Sequence, residues 1–161
     1  MNIQFILNGE DIQIVAEAGD RLSDILAGRH YSDSVHQHCG YGVCGRCMVL
    51  MDGLPVNSCL VPAYEVRNSE VISWEGLIQT PEYQLIEIAW QTHKLELCSF
   101  CRPAVSLLMA SLMDSSSRPS DAAIEETLSA LNCRCTAPER LFAAGRTVVN
   151  LKEGRNKPDV R

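Results

Sequence analysis

From His38 to Cys47 the chain reads "HCGYGVCGRC", three cysteines and three glycines in ten residues, and Cys59 follows after eleven more. Four thiols so close in sequence serve either a disulfide framework or a metal centre. The opening stretch "MNIQFILNGED" has no basic lead, no sustained apolar run and no small-residue cleavage site. It is read as neither a signal peptide nor a membrane span, and a reducing, cytoplasmic setting is expected. There thiols stay free unless a metal holds them, which favours the metal centre. The order C-x4-C-x2-C with a distant fourth cysteine is the plant-type [2Fe-2S] spacing, with Cys39, Cys44, Cys47 and Cys59 as ligands. Such a cluster needs three thiolates from one tightly wrapped loop. Gly40, Gly42 and Gly45 permit the positive φ angles and close backbone approach that this demands, and their N–H groups can then donate to sulfur. Zinc also takes four cysteines, but its structural sites pair two short knuckles, whereas this arrangement is three plus one.

A second set comprises Cys98 and Cys101 in "LCSFCRPA" and Cys133 and Cys135 in "NCRCT". On spacing alone it suits a redox dithiol, zinc or a cluster. Each pair lies at a helix boundary, where free N–H groups and the positive dipole end stabilise thiolates. Two such ends facing each other could hold one cluster, and no cysteine of the eight would be left over. His38 could ligate iron beside Cys39, but a complete cysteine set makes that unnecessary. Met48, Met51, Met109 and Met113 are spaced as core residues. Arg102 and Arg134 each follow a cysteine and either tune its site or reach solvent. Ser115 to Ser117 have no nucleophile-elbow context and no evident base.

The elements that must hold these loops fall into two textures. Up to about Trp74 the period is two: "NIQFIL" and "DIQIV" flank Asn8-Gly9 as a hairpin, and "MVLM" and "LPVNSCLV" flank Asp52-Gly53, with "EVISW" as a further strand. Between the hairpins, "DRLSDILAG" places Leu22, Ile25 and Leu26 on one helical face, with Gly28 as its stop. The picture is a small sheet crossed by one helix, with the glycine-rich loop on its rim. From about Thr80 the period becomes 3.6, and four helices are expected. Their faces are Leu85, Ile88, Ala89 and Thr92; Val105, Leu108, Met109 and Leu112; Ile124, Leu128 and Leu131; and Leu141, Gly145 and Val148. Pro81, Pro103 and "SSSRPSD" mark boundaries, and Thr136 with Glu139 reads as a capping box opening the fourth helix. Residues 76–81 are the linker candidate, and "EGRNKPDVR" reads as a tail.

With 161 residues, 46% of them hydrophobic, the chain can bury a core without covalent staples. Fourteen basic residues stand against 20 acidic ones, a net charge of −6 with no basic run. That argues against nucleic acid and anionic membranes as partners.

Taken with these residues, the chain resembles the small iron–sulfur subunit of the xanthine dehydrogenase / aldehyde oxidase family of molybdenum hydroxylases. "CGYGVCGRC" with Cys59, and "CSFC" with "CRC", stand in that family's order. The resemblance implies an α+β fold, a β-grasp (plant-type ferredoxin-like) domain over 1–76 followed by a four-helix domain with a C-terminal tail over 77–161. It implies two [2Fe-2S] clusters, on Cys39, Cys44, Cys47, Cys59 and on Cys98, Cys101, Cys133, Cys135. The chain would carry no catalysis itself. It would pass electrons between a molybdopterin-binding large subunit and an FAD-binding subunit or other acceptor in a hetero-oligomer. Cys135 is the implied port to the pterin. Where relatives read Q-C-G-x-C-x-P-G, this chain has Leu97-Cys98-Ser99-Phe100-Cys101-Arg102-Pro103-Ala104. Where they read G-N-x-C-R-C-T-G-Y, it runs from Ala130 to Pro138. Leu97 cannot make the side-chain hydrogen bond that the family's glutamine offers the pterin, so it is expected to face a partner surface that is apolar there. Three alternatives stay open: a diverged complex lacking the pterin contact, a free-standing ferredoxin-like carrier, and a zinc-stabilised scaffold.

Overall fold

A computed structural model describes residues 1–29, 31–115 and 117–156. Residues 157–161 of the expected tail lie outside the described residues.

Asn8 and Gly9 take φ angles of 52° and 84°, as a two-residue hairpin turn requires. They fold β1 (Asn2–Leu7) onto β2 (Glu10–Val15), with Ile3 opposite Ile14 and Phe5 opposite Ile12. Asp52 and Gly53 repeat the device between β3 (Met48–Met51) and β4 (Leu54–Asn57). β5 (Glu70–Ile72) inserts between the hairpins, parallel to β1 and antiparallel to β3. The result is a five-stranded mixed sheet in the order β2-β1-β5-β3-β4.

β3 is apolar throughout because both its faces are covered. Val49 joins Ile3, Phe5 and the Leu22, Ile25 and Leu26 face of helix α1 (Leu22–Gly28) in one core. Met48 and Leu50, on the opposite face, enter a second core with the C-terminal helices. Those helices are α2 (Trp74–Leu77), α3 (Pro81–His93), α4 (Arg102–Asp114), α5 (Asp121–Ser129) and α6 (Pro138–Asn156). α4 is the most deeply buried, with Val105, Leu107 and Met109 fully enclosed. No helix among the described residues is long and apolar enough to cross a membrane.

Five local expectations need correction. The linker candidate at 76–81 begins inside the short helix α2. The strand expected through "NSCLV" stops at Asn57 and becomes a 3-10 turn, Ser58–Leu60, followed by a second, Ala63–Val66. The buried face of α3 is turned from the predicted one: Ile88 is 46% exposed and Thr92 exposed, while Tyr83, Ile86 and Trp90 join Leu85 and Ala89 inside. The two aromatic rings, edge-on at 6.3 Å, bury more area than Ile88 and Thr92 could and take the core side. The capping box of Thr136 and Glu139 does not form, because α6 starts on Pro138 at its first position. Its first N–H bonds, from Arg140 and Leu141, go to the Ala137 carbonyl, and Thr136 Oγ1 is buried with no hydrogen-bond partner among the described residues. α6 also runs through Arg155, so the first part of the expected tail is helix.

Candidate metal centres

The loop between α1 and β3 turns on three glycines, Gly40, Gly42 and Gly45, with φ near +70° at each. A Cβ at Gly42 would collide with the Leu60 side chain, and one at Gly45 would come within 2.7 Å of Leu131 Cδ1. Only glycine fits either position. The cradle brings Cys39, Cys44, Cys47 and Cys59 around one cavity of about 220 Å³, lined also by Arg21, Ser23, Asp24, Gln37 and His38. Within it the thiols form pairs, Cys39 with Cys44 and Cys47 with Cys59. The second pair is fastened by Ser58, whose N–H and Oγ donate to the Cys47 carbonyl at 3.1 and 2.6 Å. No three of the four sulfurs lie within 4.8 Å of one another among the described residues.

The N–H groups of Tyr41, at 3.5 Å, and of Cys44 point at Cys39 Sγ and pull that thiol down to about 6, with help from the Cys44 thiol. Burial instead pushes Cys47 up to about 11. A half-buried thiol lowered toward the thiolate and a buried thiol held neutral share the site, so a metal bound there would displace the proton from Cys47.

The second set meets at the N-terminus of α4 and the turn between α5 and α6. The sulfurs of Cys98, Cys101 and Cys135 lie within 4.8 Å of one another, and Cys133 contacts both Cys101 and Cys135. Cys98 and Cys135 are exposed, Cys133 half-buried and Cys101 buried. The Cys135 N–H donates to Cys133 Sγ at 3.4 Å. Burial works against the Cys98 anion, but the Cys101 N–H, the Cys135 thiol and the Phe100 N–H outweigh it and bring Cys98 to about 7. Burial pushes Cys101 up, reinforced by the neighbouring Cys133 and Cys98 thiols. Both helix boundaries thus converge as the sequence suggested, and the donor set is chemically fit for iron–sulfur or zinc alike.

The other singled-out residues divide. His38 is exposed beside the first set. Met48, Met109 and Met113 are core and Met51 packs against it. Arg102 lies over the Trp90 ring at 5.1 Å, whereas Arg134 is exposed. Leu97 is only 8% exposed, inside the helical core, so its side chain does not offer the apolar partner contact expected of it. The apolar side chain standing out beside these thiols is Phe100, 48% exposed. Sequence reasoning missed Phe100 and the two residues that flank it, His36 and Arg46. Arg46 stands between two cysteines in "CGRC", and that position was the available signal.

Residues 73–146 match the family described as the [2Fe-2S] binding domain. The chain is 32% identical to the nicotinate dehydrogenase small FeS subunit of Eubacterium barkeri over 149 residues, covering 92% of this chain and 95% of that one. It is also 32% identical over 130 residues to a probable xanthine dehydrogenase subunit from Bacillus subtilis, covering 81% of this chain and 75% of that one. In structure it is similar to a chain of quinoline 2-oxidoreductase from Pseudomonas putida 86, with a TM-score of 0.80, 27% identity and 98% of each chain covered.

Proposed function

Because this chain belongs to the small iron–sulfur subunits of the xanthine dehydrogenase / aldehyde oxidase family of molybdenum hydroxylases, we propose that it carries two [2Fe-2S] clusters, one on each cysteine set. It is a non-catalytic, electron-transfer subunit of an oxidoreductase. When bound, the clusters would supply one-electron carriers between a molybdopterin-binding large subunit and an FAD-binding subunit or other acceptor. Residues 1–76 are read as a ferredoxin-like β-grasp domain and 77–161 as the helical cluster domain, working in the cytoplasm as part of a hetero-oligomer.

One observation carries this reading: all eight cysteines converge on two sites of four, with backbone N–H groups aimed at sulfur in both. The C-x4-C-x2-C spacing with a distant Cys59 supports a [2Fe-2S] group at the first site, and the family match over 73–146 supports the second. The chain's own residues do the rest. Cys47 and Cys101 anchor each site from inside, and Cys98 and Cys135 keep one side of the second open to a partner. Cys135 is therefore proposed as the port to the pterin. Purifying the native chain with its associated subunits tests the reading. Molybdenum and flavin in the co-purifying chains, alongside iron in this one, are the expected result. A stable native complex without molybdenum would point to a diverged assembly lacking the pterin contact, and no partner at all to a free-standing carrier.

A further inference from the structure

The two cysteine loops are in direct contact, and one charged side chain lies where they meet. A Cβ added at Gly45 would lie 2.7 Å from Leu131 Cδ1 and 3.4 Å from the Ala130 carbonyl oxygen, so the first loop lies close against the chain just before Cys133. Arg46, between Cys44 and Cys47, sets its guanidinium carbon 5.8 Å from the centre of the Phe100 ring, between Cys98 and Cys101. His36 closes the other contact, its ring 4.7 Å from Phe100, and its N–H donates to the Arg46 carbonyl at 3.2 Å. No carboxylate lies within 4.0 Å of Arg46 among the described residues. Its Nε is buried and has no hydrogen-bond acceptor there. A partly desolvated guanidinium with an unmet donor calls for a nearby negative charge. On this protein the candidates on either side are the two thiolate sets.

We infer that Arg46, braced on Phe100, is a positioning residue that holds its positive charge between the two cluster sites and favours the reduced form of both. The inference rests on the two-cluster reading above. Arginine keeps its charge at every working pH, so the effect does not depend on protonation. Each reduction adds one negative charge beside the guanidinium, and Coulomb attraction in a partly buried junction raises the potential of either site. Aromatic stacking fixes the planar group in place, and lysine, a compact ammonium without that plane, would keep the charge but lose its seat.

The test is potentiometry with EPR detection on the full-length, cluster-loaded chain. Arg46→Gln should keep its iron, and the midpoint potentials of both clusters should fall. Arg46→Lys should fall less, and Phe100→Leu, which leaves the charge but removes the ring, should lower both by a smaller step. Arg118→Gln removes the same charge at the far end of the helical half. Its partner Glu153 is 15 residues along α6 from Pro138, roughly 22 Å by helix rise, and both potentials should stay. Unchanged potentials in Arg46→Gln with full iron, or a fall confined to one cluster, overturn the inference while leaving the two-cluster reading intact. A wild-type chain that holds no second cluster overturns that reading, and this one with it.

Discussion

Cys47 and Cys59 are the buried members of the first set and Cys101 that of the second, and burial pushes Cys47 and Cys101 toward the protonated form. The half-buried Cys39 and the exposed Cys98 are lowered instead, to about 6 and 7. Metal binding at either site would release the protons that burial keeps on Cys47 and Cys101. The two sets share no ligand. Cys44→Ser should remove the EPR signal of the first site alone, and Cys98→Ser that of the second alone, each in a folded protein. Loss of both signals from either variant would show that one site depends on the other. At the first site the convergence of the four thiols was legible because three of them share one loop and the glycines between them announce its curvature. At the second, the pairs are some thirty residues apart, and only the fold brings Cys98 and Cys135 together. Arg46 was marked only by its place between two cysteines, and its pairing with Phe100 was not legible, since a cation and a ring on separate loops share no periodic or spacing signal.

Glu75 shows how a single short element holds the first loop in place. From α2 its carboxylate accepts from the hydroxyls of Ser32, Ser34 and Ser73 at 2.8, 3.0 and 2.6 Å, and from the Ser34 N–H at 2.8 Å. It thereby ties the segment leading to Cys39 to the start of the helical half. Burial alone would raise this carboxyl, but the Ser73, Ser32 and Ser34 hydrogen bonds outweigh it and hold Glu75 below the ordinary carboxylate value. A group lowered on folding contributes stability above its unfolded pKa, and that contribution is lost as pH falls through the folded value. Glu75→Gln should cost about 1–3 kcal/mol at neutral pH, measured by denaturant unfolding. The gap to wild type should narrow as pH drops below about 4, the usual carboxylate range. A gap that widens in acid would contradict the assignment. Within the same tier, both hairpins were readable from Asn8-Gly9 and Asp52-Gly53, whose backbones take the left-handed angles that those pairs favour. The buried face of α3 was not, because Ile86 and Ile88 are equally apolar and only contact with its neighbours α4 and α6 selects Ile86. The Ser58–Leu60 turn was missed for a related reason. "LPVNSCLV" alternates like a strand, but bonding Ser58 to the Cys47 carbonyl bends it.

At the scale of the whole molecule, the two halves share β3: Val49 completes the sheet's own core and Met48 and Leu50 complete the helical one. Residues 1–76 expressed alone would bare Met48, Leu50 and Ile72 to water. That fragment should bind a hydrophobic dye and unfold at lower denaturant than the intact chain, whereas equal stability would show the halves to be independent. Within the helical core, Leu108 is 1% exposed, and Leu108→Ala should cost about 2–5 kcal/mol. Both cores exist to hold two cysteine loops against each other, and the account stands or falls on what those loops bind. The direct measurement is iron and zinc content of the purified full-length chain, followed by EPR after reduction with dithionite. The account predicts about four irons per chain, no stoichiometric zinc, and two distinguishable [2Fe-2S] signals. A colourless, zinc-bearing chain, or one signal from two irons, would contradict it.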